Sequence, residues 1–351
     1  MHSINKTPPA PPAPQPVEAY HDVTADRFCT DIRPLQRPAI LKGVAASWPG
    51  VQAGRQGPEA FAACLRPLYS GAPIQAFRAP PATGGRLHYT DGLDGFNFTR
   101  QQTRLNRLLD DLCALAPCEA PDALYAGSLP LPVIAPEMAR SHRLDGFIHA
   151  ENVLQSLWIG NRTRVAVHYD QAENLAVVVA GRRRFTLFPM QCVADLYLGP
   201  IDLTPAGQPV SLVDTAAPDF DRFPRYRAAL AQCQVAELEP GDAIYLPALW
   251  LHGVEALDPV NALINFWWKT TPGYFENPFN TLLHALLSIK SLPDAERQRW
   301  RALFDLLVFQ PEHQGQDHLP EAARGMFGTL TPDKAQALRT FLIQGLQGKL
   351  P

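Results

Sequence analysis

His168 and Asp170 carry side chains that bind metals, and a single residue separates them in the segment Val167-His168-Tyr169-Asp170. Residues two apart in a β-strand point to the same face, so an imidazole and a carboxylate would lie side by side. The best candidate for a third ligand is His252, at the end of the segment Pro247-Ala-Leu-Trp-Leu-His252. Two histidines and one carboxylate leave three positions of an octahedral Fe(II) open, enough for a bidentate 2-oxo acid and O₂. This set therefore indicates oxidative chemistry, whereas a closed set of four ligands would indicate a structural metal.

Arg183 is the candidate anchor for the far carboxylate of such an acid. Phe185 and Leu187 alternate with Arg184 and Thr186 along the next predicted strand. If the two apolar residues point inward, Arg183 does so as well, because side chains alternate between faces. A buried arginine is costly without an anion, and a ligand carboxylate would fit its guanidinium fork.

Each of these assignments has an ordinary alternative. An HxD triplet arises by chance in many proteins. His252 could be a core histidine hydrogen-bonded to backbone, and Arg183 could pair with a buried acid such as Glu173 or Asp195. The conjunction of the triplet, an inward arginine and a later histidine on an apolar strand favours the functional interpretation.

A series of short strands must position these residues. Apolar or alternating runs, broken by turns such as Glu239-Pro-Gly-Asp242, occupy 154–159, 174–180, 183–188, 235–238, 243–246 and 262–268. Short strands without intervening helices predict an antiparallel barrel or sandwich, with a barrel core at about 154–270. The stretch 190–230 is a long insertion that could form one wall of a substrate groove.

The flanking regions differ from this pattern. Residues 1–16 are rich in proline and predict a mobile tail, and 17 to about 150 mix strands and helices, with a helical pattern within 96–115. His88, Tyr89 and His149 are expected in solvated loops. Residues 276–351 predict a helical extension whose apolar stripe packs on the barrel or pairs with a second subunit. Leu338, Phe341, Leu342 and Leu346 form this stripe.

Composition excludes several classes of protein. The 351 residues are 46% hydrophobic with a net charge of -3, so no basic field for nucleic acid is expected. Six scattered cysteines without a CxxC pair, and no signal peptide, predict reduced thiols in the cytoplasm. No apolar run is long enough to span a bilayer.

The chain resembles the cupin-like JmjC oxygenases, the family that includes the asparaginyl hydroxylase that inhibits hypoxia-inducible factor. The segments that carry the resemblance are His168-Tyr-Asp170, Asn174, Ala180-Gly-Arg-Arg183-Arg-Phe-Thr-Leu-Phe-Pro189, Glu239-Pro-Gly-Asp-Ala-Ile-Tyr-Leu-Pro247, Trp250, His252 and Asn265-Phe-Trp-Trp-Lys269. Arg37 to Gly43 with Trp48-Pro49 is similar to the family's N-terminal region.

The resemblance implies a mainly β (α+β) fold with a double-stranded β-helix (jelly-roll or cupin) core. The cupin-like JmjC domain that contains this core is expected to cover 17–275. The resemblance also implies Fe(II) on the HxD triplet and His252, 2-oxoglutarate near Asn174 and Asn265, and Tyr125 at the distal carboxylate. Arg183 stands where the family often has lysine, and Val165 stands where the asparaginyl hydroxylase has threonine. The C-terminal helices are similar to a segment through which family members form homodimers.

Hydroxylation of an aliphatic C–H bond, on an unidentified protein, peptide or small molecule, is the leading hypothesis for function. A cupin module that binds metal or carboxylate without turnover, as a sensor or partner protein, is the alternative. N-methyl-lysine demethylation would use the same iron chemistry, although no histone-reader or zinc-binding segment accompanies it.

Overall fold

A computed structural model of the chain describes residues 13–310 and 318–349. The described chain divides into two compact units, one up to Thr270 and one from Thr271 onward. Most of the Pro-rich segment lies outside the described residues. Gln15 and Pro16, predicted to belong to the mobile tail, instead form a strand that pairs with Gln234 and Val235.

The strands belong to the first unit. In chain order they are β1 (Gln15–Pro16), β2 (Ala19–Tyr20), β3 (Ala39–Leu41), β4 (Ile74–Ala79), β5 (Arg86–Leu87), β6 (Thr99–Thr103), β7 (Ala123–Pro130), β8 (Leu154–Gly160), β9 (Arg164–His168), β10 (Glu173–Ala180), β11 (Arg183–Phe188), β12 (Gln234–Leu238), β13 (Ala243–Leu246), β14 (Leu251–Ala256) and β15 (Asn261–Trp268).

Short helices precede and follow the strands. The α-helices are α1 (Ala25–Arg27), α2 (Pro49–Gln56), α3 (Pro58–Leu65), α4 (Leu105–Leu115), α5 (Leu131–Ile134), α6 (Pro136–Ser141), α7 (Tyr226–Leu230), α8 (Pro278–Ser288), α9 (Asp294–Phe304) and α10 (Pro332–Leu346). The helical pattern predicted within 96–115 begins only at Leu105, because Thr99–Thr103 forms the edge strand β6.

Two sheets enclose the core of the first unit. The six-stranded sheet has the order β1-β12-β11-β14-β9-β5, and the nine-stranded sheet has the order β2-β3-β13-β10-β15-β8-β7-β4-β6. Inward residues of both sheets form one apolar cluster, with Phe185 and Leu187 from one sheet and Val178 and Ile244 from the other. The mainly β jelly-roll core predicted from the sequence is confirmed.

The centre of the nine-stranded sheet is buried on both faces. Every residue of β10 is buried, which explains why its sequence is a continuous apolar run rather than an alternating one. Its outer face packs against the N-terminal helices, and α2 lies directly on β10. A Cβ at Gly54 would stand 2.2 Å from the carbonyl oxygen of Val179, so only glycine permits this close approach.

The 190–230 insertion packs on the outer face of the six-stranded sheet. It forms its own apolar cluster with Val167, Phe188 and Leu251 of that sheet, to which the insertion contributes Leu196 and Tyr226. In these contacts the insertion therefore covers the back of the strands β9, β11 and β14 rather than the interior between the sheets.

The second unit is helical. Thr331 caps α10, since its hydroxyl oxygen accepts a hydrogen bond from the backbone N–H of Lys334 at 3.3 Å. The side chain of Asn277 caps α8 in the same way. Many of the unit's large apolar side chains are exposed, including Phe341, Leu342 and Leu346 of the predicted stripe.

Candidate metal centre

His168, Asp170 and His252 converge inside the jelly roll. β9 ends at His168, and its neighbour β14 places His252 directly opposite that residue. One potential ligand atom from each of the three side chains lies within 4.8 Å of the other two. The Nε2 atom of His252 is 3.6 Å from Oδ2 of Asp170. The structure therefore brings together the three side chains that the sequence analysis selected.

A β-bulge in the pairing of β9 with β14 sets the direction of these side chains. His168 lies opposite His252, but Val254 lies opposite Val165, so β9 contains one extra residue at this point. As a result Val167 packs outward into the core of the insertion, while Val165 packs near the buried Tyr125.

Backbone contacts orient both imidazoles. The Nδ1–H of His168 donates to the carbonyl of Ala166 at 2.9 Å, and the Nδ1–H of His252 donates to the carbonyl of Trp250 at 2.8 Å. Since a carbonyl only accepts, each neutral ring keeps its Nε2 lone pair for a metal. The backbone bond expected of an ordinary core histidine at position 252 is therefore present, and it also prepares the ring as a ligand.

Burial keeps His252 neutral. Burial, together with the charge of His168, lowers the pKa of His252 to about 4, and Asp170 opposes this shift. A metal competes with protons for imidazole, so a low pKa makes the ring available as a ligand near neutral pH.

Asp170 is tied to the turn between β13 and β14. The backbone N–H of Leu249 donates to the carbonyl oxygen of Asp170 at 2.7 Å. Leu249 has a φ of 63°, a left-handed conformation that leucine rarely adopts. Such a strained residue often marks a position held for function, and here it links the carboxylate ligand to the strand that carries His252.

Arg183 is buried, with 5% of its surface exposed, among inward-facing residues. One of its terminal nitrogens donates to the carbonyl of Trp158 at 3.3 Å, and its Nε has no partner among the described residues. Neither suggested acid pairs with it, because Glu173 pairs with Arg33 and Asp195 pairs with another arginine. Burial lowers the pKa of Arg183 to about 10. A bound anion would accept a hydrogen bond from the Arg183 Nε–H and would offset the free-energy cost of burying the guanidinium charge.

Two asparagines and a tryptophan form a short network on the opposite sheet. The indole N–H of Trp158 donates to Oδ1 of Asn265 at 2.6 Å, and Nδ2 of Asn265 donates to Oδ1 of Asn174 at 3.2 Å. The pairing of Asn174 with Trp267, and of Asn265 with Ser156, places both amides on the inner face. The indole of Trp158 is a member of this site that sequence reasoning missed, although its inward parity with Ser156 could have indicated it.

Tyr125 lies within electrostatic range of both Arg183 and Asp170. Burial raises its pKa, Arg183 lowers it, and Asp170 raises it. The phenol therefore stays protonated at neutral pH and can donate a hydrogen bond to an anion held by Arg183.

The upstream residues differ from the sequence expectation. His88 and Tyr89, expected in solvated loops, are buried on the insertion side of the protein, where Gly199 packs against the Tyr89 ring. His149 is exposed as expected.

Among the residues that the structure describes, no helix is long and apolar enough to cross a membrane.

Comparison with known proteins gives one family and several relatives. A family model described as a cupin-like domain matches residues 25–274. The chain is 32% identical over 116 residues to "Lysine-specific demethylase JMJ31" of Arabidopsis thaliana, covering 33% of this chain and 21% of that protein. It is 35% identical over 124 residues to human "HSPB1-associated protein 1", covering 35% and 25% of the two chains.

A third relative is "tRNA wybutosine-synthesizing protein 5" of Gallus gallus, which is 33% identical over 106 residues, or 30% of each chain. The aligned segments thus span less than a third of the length of each of these three relatives.

Proposed function

Because this chain belongs to the cupin-like domain family, we propose that it is an Fe(II)- and 2-oxoglutarate-dependent oxygenase that hydroxylates an aliphatic C–H bond. The observation that carries the proposal is the convergence of His168, Asp170 and His252 in the same interior as the unpaired, buried Arg183. One set of groups suits the metal, and the other suits the far end of a dicarboxylic co-substrate.

The donor set fits Fe(II). Two neutral imidazoles and one carboxylate from one side of a cation are the ligands of non-haem iron oxygenases, and they leave positions for exogenous ligands. The Asp170 side chain is 19% exposed, so the site is accessible to small molecules. The Nδ1 contacts of both histidines supply the outer support that such ligands require.

The pocket also fits 2-oxoglutarate. Within the described part of the chain the Arg183 guanidinium has no carboxylate partner, and the protonated Tyr125 hydroxyl is a second donor for the same anion. Arginine can bind a carboxylate through two parallel hydrogen bonds, which the more common lysine cannot do. Asn174 and Asn265 offer amide groups for the chelating end of the co-substrate.

Bound iron with 2-oxoglutarate would supply the activation of O₂, with succinate and CO₂ as the products of the co-substrate. The protein supplies position and environment. His168, Asp170 and His252 hold the reacting centre, and Arg183 with Tyr125 fixes the far carboxylate. Trp158 and Trp267, whose rings meet edge to face with centroids 5.4 Å apart, place apolar surface beside the asparagines.

For the substrate, we propose a protein or peptide side chain. The relatives' names include a lysine demethylase and a tRNA-modifying protein, so the family alone does not select a substrate. The net charge of -3 argues against a nucleic acid. The similarity to the asparaginyl hydroxylase and a cytoplasmic location, in keeping with six free cysteines, both remain predictions.

The test is succinate release from 2-oxoglutarate with Fe(II) and ascorbate. We expect turnover by the wild type, and only the buffer background from Asp170→Ala, because that variant removes the single anionic ligand. Asp145→Ala is the matched control, since that carboxylate is largely exposed and pairs with Arg143. Iron binding, measured by calorimetry, should be weakened in Asp170→Ala alone.

Two results would contradict the oxygenase proposal. Equal succinate from wild type and Asp170→Ala would remove the triad from the reaction. Iron bound by the wild type without any succinate would leave the non-catalytic cupin module as the better description.

A further inference from the structure

A row of charged side chains crosses the outer face of the six-stranded sheet. Strand pairing places Arg86 opposite Arg164, Arg164 opposite Glu255, Glu255 opposite Arg184, and Arg184 opposite Glu237. Signs alternate along the row except at its first step. Like charges directly opposite each other destabilise a sheet, so the pair of arginines at the edge calls for a compensating anion.

The other two arginines of the row form ion pairs with carboxylates of the protein. Arg184 pairs with Glu237 at 2.6 Å and with Glu255 at 3.1 Å. Arg164 binds Asp214 of the insertion through two hydrogen bonds of 2.8 and 3.0 Å. Among the described residues, no carboxylate forms an ion pair with Arg86.

The contacts that Arg86 does form are neutral. One terminal nitrogen donates to the carbonyl of Leu212 at 2.9 Å and lies 3.1 Å from Nε2 of His88. Burial lowers the pKa of His88 to about 4, so its ring is neutral and adds no charge beside Arg86.

The surroundings of Arg86 hold more positive than negative charge. Burial lowers the pKa of Arg86, Asp214 opposes this shift, and Arg164 and Arg222 lower the pKa further. Three guanidinium groups thus lie within electrostatic range, while the carboxylate that opposes them is already held by Arg164. A partly buried cation in this setting is unfavourable unless an anion joins it.

A cavity of about 490 Å³ adjoins these groups. Arg86, Arg164 and Arg222 line it together with Thr83, Asn97 and Asp214, and the exposed Asp91 lies on its wall. The volume is that of a small-molecule site. The cavity lies on the opposite side of β9 from His168, so it is separate from the metal centre.

We propose that this cavity binds a small oxyanion, a phosphate or carboxylate group, through Arg86 and Arg222. Arg86 supplies an unpaired, partly buried charge, Arg222 adds an exposed one, and Arg164 stays with Asp214. This site needs neither iron nor turnover and is therefore independent of the proposed oxygenase activity.

The test is calorimetric titration of the full chain with inorganic phosphate and, separately, with succinate. The succinate arm uses Arg183→Met as the parent protein, so that the co-substrate pocket does not take up the probe. Arg86→Met removes the central charge and keeps much of the side-chain length. Arg222→Gln changes an exposed residue and so keeps the test valid if Arg86→Met folds poorly. Arg184→Met is the matched control, since it removes an arginine of the same face that already has two carboxylate partners.

We expect Arg86→Met to weaken binding of at least one probe about tenfold or more, the effect of losing one charge-assisted hydrogen bond. Arg222→Gln should weaken it less, and Arg184→Met should leave it unchanged. Tighter binding of phosphate or of succinate identifies which oxyanion the site prefers. The proposal would be overturned if neither phosphate nor succinate bound. It would also be overturned if Arg86→Met and Arg184→Met weakened binding equally.

Discussion

Arg183 makes the interior of the jelly roll favourable for an anion. The guanidinium is buried, no carboxylate of residues 13–310 or 318–349 pairs with it, and the nearby Tyr125 hydroxyl remains a donor. Removing one partner of a buried charge pair costs several kcal/mol, so a change here should affect co-substrate binding far more than metal binding.

Arg183→Met should therefore weaken 2-oxoglutarate binding by about 30-fold or more, corresponding to roughly 2 kcal/mol. The 2-oxoglutarate affinity of Arg183→Lys should lie between those of the wild type and Arg183→Met, because lysine keeps the charge but cannot form two parallel hydrogen bonds to a carboxylate. Calorimetry in the presence of a saturating divalent metal measures both variants. Arg182→Met is the control, since that arginine is exposed and pairs with Asp258. Unchanged binding in Arg183→Met would remove this residue from the site.

His142 is a second residue whose burial has a measurable consequence. Its Nε2 accepts a hydrogen bond from the backbone N–H of Gly50 at 3.0 Å, and burial lowers its pKa from 6.5 to about 4. The unfolded chain therefore binds more protons than the folded one between these values. Stability is lost as the pH falls from 6.5 towards 4.

His142→Gln should make this loss of stability shallower, because an amide oxygen can accept the Gly50 N–H without titrating. The measurement is the melting temperature of wild type and variant across that pH range. His21→Gln, a change at an exposed histidine, serves as the control. Parallel pH profiles for wild type and His142→Gln would show that His142 does not contribute.

At the scale of elements, the metal centre depends on how β9 and β14 are joined. The bulge between them lets Val167 pack outward while His168 faces His252. The turn before β14 adds a backbone bond from Leu249 to Asp170. These features act on the ligands without touching the metal, in the manner of the outer contacts that tune metal sites.

Leu249→Pro should weaken metal binding by about tenfold or more, the usual effect of losing an outer contact to a ligand. Proline lacks the N–H that Asp170 accepts, and its ring excludes the φ of 63° found here. Leu249→Gly is the matched variant, because it keeps the N–H and adopts this φ without strain. Metal affinity equal in the two variants would show that the backbone bond does not position Asp170.

At the scale of the whole molecule, the helical unit has an exposed apolar surface. Phe341, Leu342 and Leu346 of α10 are 57%, 47% and 63% exposed. Contiguous exposed apolar side chains of this kind mark interaction sites in proteins. We therefore propose, as the family resemblance implies, that two copies of the chain associate through their C-terminal helices.

The double change Phe341→Asp with Leu342→Asp should convert a dimer into a monomer, because two charges would be placed in an apolar interface. Light scattering after size-exclusion chromatography gives the molar mass. Thr340→Asp adds a charge at an exposed position on the side of α10 away from Phe341, Leu342 and Leu346, and should leave the dimer intact. A wild type that is monomeric at high concentration would contradict the proposal.

The sequence by itself determined the parts of this protein that follow from local alternation. The period of two in Arg183–Phe188 predicted an inward arginine, and the series of short strands predicted a jelly roll. Such patterns can be predicted because neighbouring residues of a strand alternate between core and solvent wherever the strand lies in the sheet. Asp170 lies beyond the end of β9, so strand alternation alone did not determine its position.

Only the tertiary structure decided what distant strands place together. It brought His252 opposite His168, left Arg183 without an acid, and set Arg86 beside Arg164 at a sheet edge. It also replaced the expected helix before Leu105 with a strand and buried His88 under the insertion. These outcomes depend on register, bulges and packing between segments far apart in the chain, which local periodicity does not encode.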